Sequence, residues 1–177
     1  MGNLTFIIPC YNASRNIAAL AASLVSQNDP VWRAIIVDDA STEPEMLGAI
    51  ASVVITDARF SVTRSPTRRF ALQNIVRTAR DVGEGPVAII DGDDQLCNDN
   101  TVGIVKAMHD CSGVVAWTAH RWDINGLNVS AEMPQGVNPY QTRWVSSHLK
   151  SFDAALLRSI PESNFKDHKS EWFERGY

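Results

Sequence analysis

Short apolar runs of strand length alternate with stretches of helical period along most of this chain, and that alternation narrows the possible folds more than any other feature. Leu4 to Ile8, Ala34 to Val37, a weaker run from Phe60 to Thr63, Pro86 to Ile90 and Gly113 to Thr118 read as strands. Between them, Asn12 or Ser14 is expected to cap a helix with Ile17, Leu20 and Leu24 inward, and Pro44 to start one with Met46, Leu47 and Ile50 inward. Two more helices are expected over about Arg69–Asp81 and Asn100–His109. Strands that are apolar on both sides, joined by helices, predict an α/β fold with a mainly parallel sheet covered on both faces.

The pattern changes at Arg121. Arg121-Trp122-Asp123-Ile124, Asn125-Gly126 and Leu127-Asn128-Val129 read as a tight hairpin, which predicts a mixed C-terminal part of the sheet. Glu132 to Asn138 reads as a loop and Ser147 to Ile160 as a helix. No repeat, low-complexity tract or linker divides the chain, so one domain over residues 1–177 is expected.

Composition excludes several classes. With 177 residues, 45% hydrophobic and 20% charged, the chain has enough apolar mass for one core. Its 16 basic and 20 acidic side chains give a formal charge of −4, too little positive field to hold nucleic acid or an anionic membrane. No apolar run approaches the ~20 residues of a transmembrane helix, and a strand beginning at Leu4 leaves no room for a signal peptide, so the expected location is cytoplasmic. Cys10, Cys97 and Cys111 lack metal-type spacing and read as reduced thiols.

In an open α/β sheet, ligands bind beyond the carboxyl ends of the strands. Here those ends are polar: Pro9-Cys10-Tyr11-Asn12, Asp38-Asp39-Ala40-Ser41 and Asp91-Gly92-Asp93-Asp94. Three carboxylates within four residues repel one another; at ~6 Å and an effective dielectric near 20, each pair costs roughly 2 to 3 kcal/mol. Something positive should sit there. Mg²⁺ or Mn²⁺, hard cations with oxygen ligands, would relieve the repulsion and bridge to phosphates, whereas the plain alternative is a solvated acidic turn before a helix. Asp38 and Asp39 read either as turn residues or as acceptors for a base N–H, and Arg68 and Arg69, with Arg64 nearby, either as diphosphate donors or as a solvated helix start.

Four segments in order resemble family-2 glycosyltransferases, which have the GT-A fold. They are Phe6-Ile7-Ile8-Pro9-Cys10-Tyr11-Asn12, Ile35-Ile36-Val37-Asp38-Asp39-Ala40-Ser41-Thr42, Arg69-Phe70-Ala71-Leu72-Gln73-Asn74 and Ile89-Ile90-Asp91-Gly92-Asp93-Asp94. The resemblance implies a GT-A-like, Rossmann-type sheet, with residues 1–120 as the nucleotide-sugar half and 121–177 as an incomplete acceptor-side part. It further implies transfer of a sugar from a UDP-sugar to an acceptor hydroxyl with inversion, assisted by Mn²⁺ or Mg²⁺. Pro9, Tyr11 and Asn12 would border the nucleotide, with Asp38 and Asp39 near the base edge and Asp39 the contact to uracil. Arg69 would approach the diphosphate, Asn74 would belong to the nucleotide-sugar site, and Asp91 and Asp93 would serve the ribose and sugar-phosphate region. Asp93 and Asp94 would hold the cation.

On the acceptor side, Trp144 and His148 resemble a family segment bordering the acceptor pocket, against the alternatives of core packing and a structural histidine. The acidic motif that carries the general base in inverting relatives has no clear copy before Tyr177. Asp167 and Glu171 are the nearby acidic residues, in a polar stretch that also reads as simply exposed. A missing base leaves a second reading, a nucleotide-sugar-binding domain without turnover. A third, phosphoaspartyl chemistry of receiver or phosphatase type, fits less well, because there the acidic pair ends the first strand and here a whole strand-helix unit precedes it.

Overall fold

A computed structural model describes residues 3–111, 115–138, 141–143, 145–146 and 149–174. Chain order is β1 (Leu4–Cys10), α1 (Ile17–Val25), β2 (Trp32–Asp38), α2 (Met46–Thr56), β3 (Phe60–Arg64), α3 (Phe70–Val82), β4 (Pro86–Ile89), α4 (Thr101–Cys111), β5 (Val115–Trp117), β6 (Lys150–Asp153) and α5 (Ala154–Ser159), with a 3-10 turn at Glu162–Phe165. The strands form one six-stranded sheet in the order β3-β2-β1-β4-β6-β5. β1 pairs in parallel with β2 and β4, and β2 with β3, whereas β6 runs antiparallel to both β4 and β5.

Side chains alternate across each strand, and the alternation builds two cores. Leu4, Phe6 and Ile8 of β1, Trp32, Ala34 and Ile36 of β2, and Ala88 of β4 face α1, α2 and α4, through Ile17, Leu20, Leu24, Met46, Ile50, Val102 and Val105. Ile7, Val37 and Val87 point the other way, toward Ile75, Ala79 and Val82 of α3 and Ala154 and Leu157 of α5. Helices therefore cover both faces, as the doubly apolar strands predict.

Four local expectations are corrected. The helix expected from Ser147 to Ile160 is instead a strand followed by a short helix: Phe152 pairs with Val87 and Ser151 with Ala88. Asp153 makes the switch, its carboxylate accepting the Ala155 N–H at 2.8 Å as the cap of α5. Ser147 and His148 lie outside the described residues. The sheet is thus mixed because of β6. The expected hairpin narrows to one bridge, Arg121 to Asn128, and its turn is wider than Asn125-Gly126, since Trp122 N–H donates to Leu127 O and Gly126 N–H back to Trp122 O.

Neither Asn12 nor Ser14 caps α1; the cap position is Asn16, without a side-chain bond. The Asn12 amide oxygen is taken elsewhere, by the Thr42 and Glu43 N–H groups ahead of α2. Leu47, expected inward, is 52% exposed, and Val53 takes its place in the core.

Trp32 anchors the larger core. It is 2% exposed, meets Phe6 and Phe60 edge-on at ring-centroid distances of 6.1 and 5.4 Å, and carries the Arg59 guanidinium 3.9 Å above its ring. Its indole N–H is buried without a hydrogen-bond partner. Trp32→Ala should therefore cost about 3 to 5 kcal/mol in urea denaturation, whereas Trp32→Phe, which also removes the unsatisfied N–H, should cost under about 2 kcal/mol.

Candidate functional site

The carboxyl end of β1 gathers the polar segments. Cys10 O accepts the Asp39 N–H at 2.9 Å, and Pro9 O accepts the Gly92 N–H at 3.1 Å, so the second and fourth strand ends are both bonded to the first. A Cβ on Gly92 would sit 2.7 Å from the Cys10 Cβ, closer than carbon atoms pack, so only glycine allows this approach. The Asp94 N–H returns to Asp91 O at 3.0 Å, closing Asp91-Gly92-Asp93-Asp94 into a turn. The segment after it is pinned to α1: Leu96 N–H donates to Ser23 Oγ at 3.1 Å, and the Gln27 side chain bonds both Asn98 O and the Val102 N–H, at 2.7 and 3.1 Å.

Asp38 and Asp39 are adjacent in sequence and separated by the sheet. Asp38 is fully buried on the α2 side, where Oδ1 accepts the Ser41 N–H at 3.1 Å and Oδ2 faces Arg64 Nε at 3.2 Å. That second contact lacks hydrogen-bond geometry and is charge attraction. Asp38 is thus held by the chain itself, at the Ser41 turn and against Arg64. An apolar groove of about 430 Å³ lies beside it, lined by Leu47, Val54, Ile55 and Val62, with Arg64 at its edge.

Asp39 lies on the α3 side and organises the entry to that helix. Oδ1 accepts the Arg69 N–H at 2.7 Å and Asn74 Nδ2 at 2.8 Å, and Oδ2 accepts the Phe70 N–H at 2.9 Å. Asn74, 2% exposed, is held in turn by Ser65 Oγ at 3.0 Å. Asn74 is therefore a support for Asp39. The Asp39 side chain keeps 6% of its surface open.

Backbone strain concentrates on this lip. Among the described residues, the non-glycine positive φ angles are at Asn12 (52°), Ala40 (58°), Phe70 (61°) and Ser170 (66°), and the first three follow β1, follow β2 and open α3. Asn tolerates this region, but Ala40 and Phe70 do so at roughly 1 to 3 kcal/mol each. Asn12 is exposed and serves as a clamp: its N–H donates to Ser41 Oγ at 2.9 Å and its side chain bonds Thr42 and Glu43. Glu43 answers by accepting the Ser14 N–H at 3.0 Å, and hydrogen bonding with Ser14 holds its carboxyl below the usual range.

Pro9 is buried within β1, whereas Tyr11 is half-buried at the lip. The Arg68 guanidinium stacks 3.6 Å above the Tyr11 ring and 4.9 Å from that of Phe70, with its Nε 4.0 Å from Asp39 Oδ2. Arg69, half-buried, contributes its N–H to Asp39.

Asp91 and Asp94 are half-buried and Asp93 is exposed. The positive charge that sequence reasoning asked for is partly supplied by the chain: Lys150, opposite Ile89 on β6, lies near enough to Asp91 for the carboxylate to favour its charged form, while burial, the larger effect, pushes its pKa down. Lys150 was missed because its segment reads as helix, a geometry that does not set it beside β4. A hard cation carried on a diphosphate takes one or two carboxylates and fills its shell with phosphate oxygens and water. The all-oxygen donors of Asp93 and Asp94 fit that use. Among the described residues no group of three or more His, Cys, Asp or Glu forms an ion cage, so an ion here would be shared with a ligand.

On the acceptor side, Trp144 and His148 lie outside the described residues. Asp167 stabilises a turn, Oδ1 accepting the Lys169 and Glu171 N–H groups at 2.8 and 3.0 Å, while Glu171 is exposed. The turn is part of a C-terminal segment in which Phe165 and Trp172 stack at 6.1 Å. With its amide suitably oriented, Gln73 of α3 accepts the Trp172 indole N–H at 3.1 Å.

This sheet, with strand ends bearing acidic turns, is that of a GT-A glycosyltransferase. The glycosyl transferase family 2 model matches residues 5–160, and the chain belongs to that family. Among solved structures, S. aureus TarS 1-349 superposes with a TM-score of 0.70 at 22% identity, over 96% of this chain and 53% of that one. The Pyrobaculum calidifontis mannosyltransferase PcManGT, solved with GDP-Man and Mn²⁺, gives 0.60 at 20% identity, over 70% of this chain and 36% of that one. A further TarS structure, in complex with UDP-GlcNAc, gives 0.68 at 20%, over 88% and 46%. At these identities the likeness is one of fold, and the chain spans about a third to a half of each. No curated protein matches the chain. Among the described residues no helix is long and apolar enough to cross a membrane.

Two outcomes test this geometry. Asp39→Ala strands the Arg69 and Phe70 N–H groups and the Asn74 amide, and should lower stability by about 2 to 4 kcal/mol in urea denaturation. Burial, reinforced by Asp38 and Asp39, pushes the Cys10 thiol up to about 12, leaving about one thiolate in ten thousand at pH 8. Cys97 and Cys111 are exposed, so iodoacetamide at pH 8 should label two thiols in the native protein and the third only on unfolding, as read by mass spectrometry.

Proposed function

We propose that this chain is the donor-binding part of an inverting glycosyltransferase that moves a sugar from a UDP-sugar to an acceptor hydroxyl. The observation carrying the reading is the pair of bonds at the end of β1, which sets Asp39 and the Asp91–Asp94 turn on one lip. The family places a transferase on this fold, and the UDP and UDP-GlcNAc complexes of TarS favour uracil as the base.

In this reading Tyr11, backed by Pro9, walls the base, and the open edge of Asp39 meets it. Arg69 approaches the diphosphate from the start of α3. Asp91 and Asp93 serve the ribose and sugar-phosphate, and Asp93 with Asp94 would hold Mn²⁺ or Mg²⁺. When bound, the cation supplies charge compensation for the diphosphate. In the transfer, the acceptor oxygen bonds to the anomeric carbon as the bond to the phosphate oxygen breaks, the electron pair leaving with UDP. The hydroxyl proton passes to a general base on the acceptor side. Glu171 is the freer of the two candidates, because Asp167 Oδ1 is committed to its turn. That commitment also supports the second reading, donor binding without turnover.

Calorimetry with UDP and Mn²⁺ tests the proposal. Wild-type protein should bind, and Asp94→Ala or Asp93→Ala should weaken binding at least tenfold. Wild-type affinity in both variants would remove the cation assignment. UDP binding without UDP release from any UDP-sugar and acceptor would favour the second reading.

A further inference from the structure

We propose that Lys150 is a donor-binding residue, whose ammonium is delivered by β6 to the pyrophosphate of the nucleotide sugar. The inference rests on the reading of the lip as a UDP-sugar site and adds a residue to it.

Register makes the case. Lys150 pairs with Ile89 of β4 on one side and with Trp117 of β5 on the other. Paired residues share a face, and the Val87–Phe152 pair of the same ladder lies in the α3 and α5 core. Lys150 therefore lies on the face that carries α3, at the end of β4 where Asp91 begins the acidic turn. It is half-buried, a setting in which a lysine stem packs on the sheet while its ammonium extends toward the polar edge.

Of the other cations near the lip, Arg69 also serves the diphosphate on the donor reading, and two have partners of their own. Arg64 faces Asp38 on the opposite side of the sheet, and Arg68 is stacked on Tyr11 beside Asp39. Neither β1, β4 nor β5 carries a basic residue. Lys150 is thus the strand-borne cation adjoining the acidic turn. A diphosphate arriving beside three carboxylates meets a repulsive field unless positive charge is fixed there in advance. A lysine point charge at a rigid strand start supplies it and, unlike a metal ion, does not depend on the ligand to complete its shell.

The alternative is a purely structural lysine that steadies Asp91. Calorimetry with UDP and ligand-observed NMR with uridine, both with Mn²⁺, separate the two for wild type, Lys150→Gln and Lys150→Arg. Lys150→Gln should weaken UDP about tenfold and leave uridine within twofold, and Lys150→Arg should recover most of the loss. Equal weakening of UDP and uridine would overturn the proposal in favour of a structural role, and unchanged UDP binding in Lys150→Gln would overturn it outright while leaving the donor site standing. A wild-type protein that binds neither UDP nor uridine would sink the donor-site reading itself, and this inference with it.

Discussion

Two backbone hydrogen bonds at the end of β1 govern the rest of the molecule's chemistry. Pro9 O and Cys10 O are carbonyls at a strand terminus, and they are satisfied not by more ladder but by the first residues of two departing loops, Gly92 and Asp39. Adjacent carbonyls of a strand point to opposite sides, so one takes the neighbour beyond β4 and the other the neighbour beyond β2. Acidic segments fifty residues apart are thereby brought to a common edge before any side chain takes part. The side chains then fix the loops: Asn12 ties the first to the second, and Asp39 ties the second to the start of α3.

The same alternation explains why two neighbouring aspartates do different work. Asp38 continues the parity of Ala34 and Ile36 and turns toward α2, whereas Asp39 continues that of Val37 and turns toward α3. The first becomes a buried partner for Arg64, and the second a brace for a strained loop. Positive φ at Ala40 and Phe70 is tolerated because the carboxylate and its amide partners overdetermine the chain on either side. A lip shaped this way is preformed, and a ligand meets it without having to order three loops itself.

Most of the parallel half was legible in the sequence, because its strands are apolar on both sides and that signal survives without tertiary knowledge. Leu4, Phe6, Ile8, Ala34 and Ile36 are buried as their pattern predicts. What was not legible depends on pairing. Lys150-Ser151-Phe152-Asp153 is too short for its alternation to outweigh the helical spacing of Leu149, Phe152 and Leu156, and only the open edge of β4 makes it a strand. The acidic turn was readable as a cluster in need of positive charge, but its partner arrives from a segment sixty residues away. Asn12, Asp38 and Asn74 carry the right chemistry for a ligand; the partners the fold gives them, the Thr42 and Glu43 N–H groups, Ser41 with Arg64, and Asp39, are ones their sequence neighbours do not reveal.

The charge arrangement of the lip follows from how each sign is carried. Its carboxylates sit on backbone turns bonded to the end of β1. Of the cations, Arg68 is on a loop and stacked upon Tyr11, the same ring that the donor base would use, while Lys150 is on the sheet. Entry of a base onto that face of Tyr11 therefore requires the loop cation to shift, whereas the sheet-borne one can stay in place. A guanidinium released from the ring beside an arriving pyrophosphate gains a bidentate partner in exchange for a cation–π contact of about 0.5 to 2 kcal/mol. On the proposed donor-site reading, recognition of the base and of the diphosphate would be coupled through this one side chain, which would favour ligands that carry both.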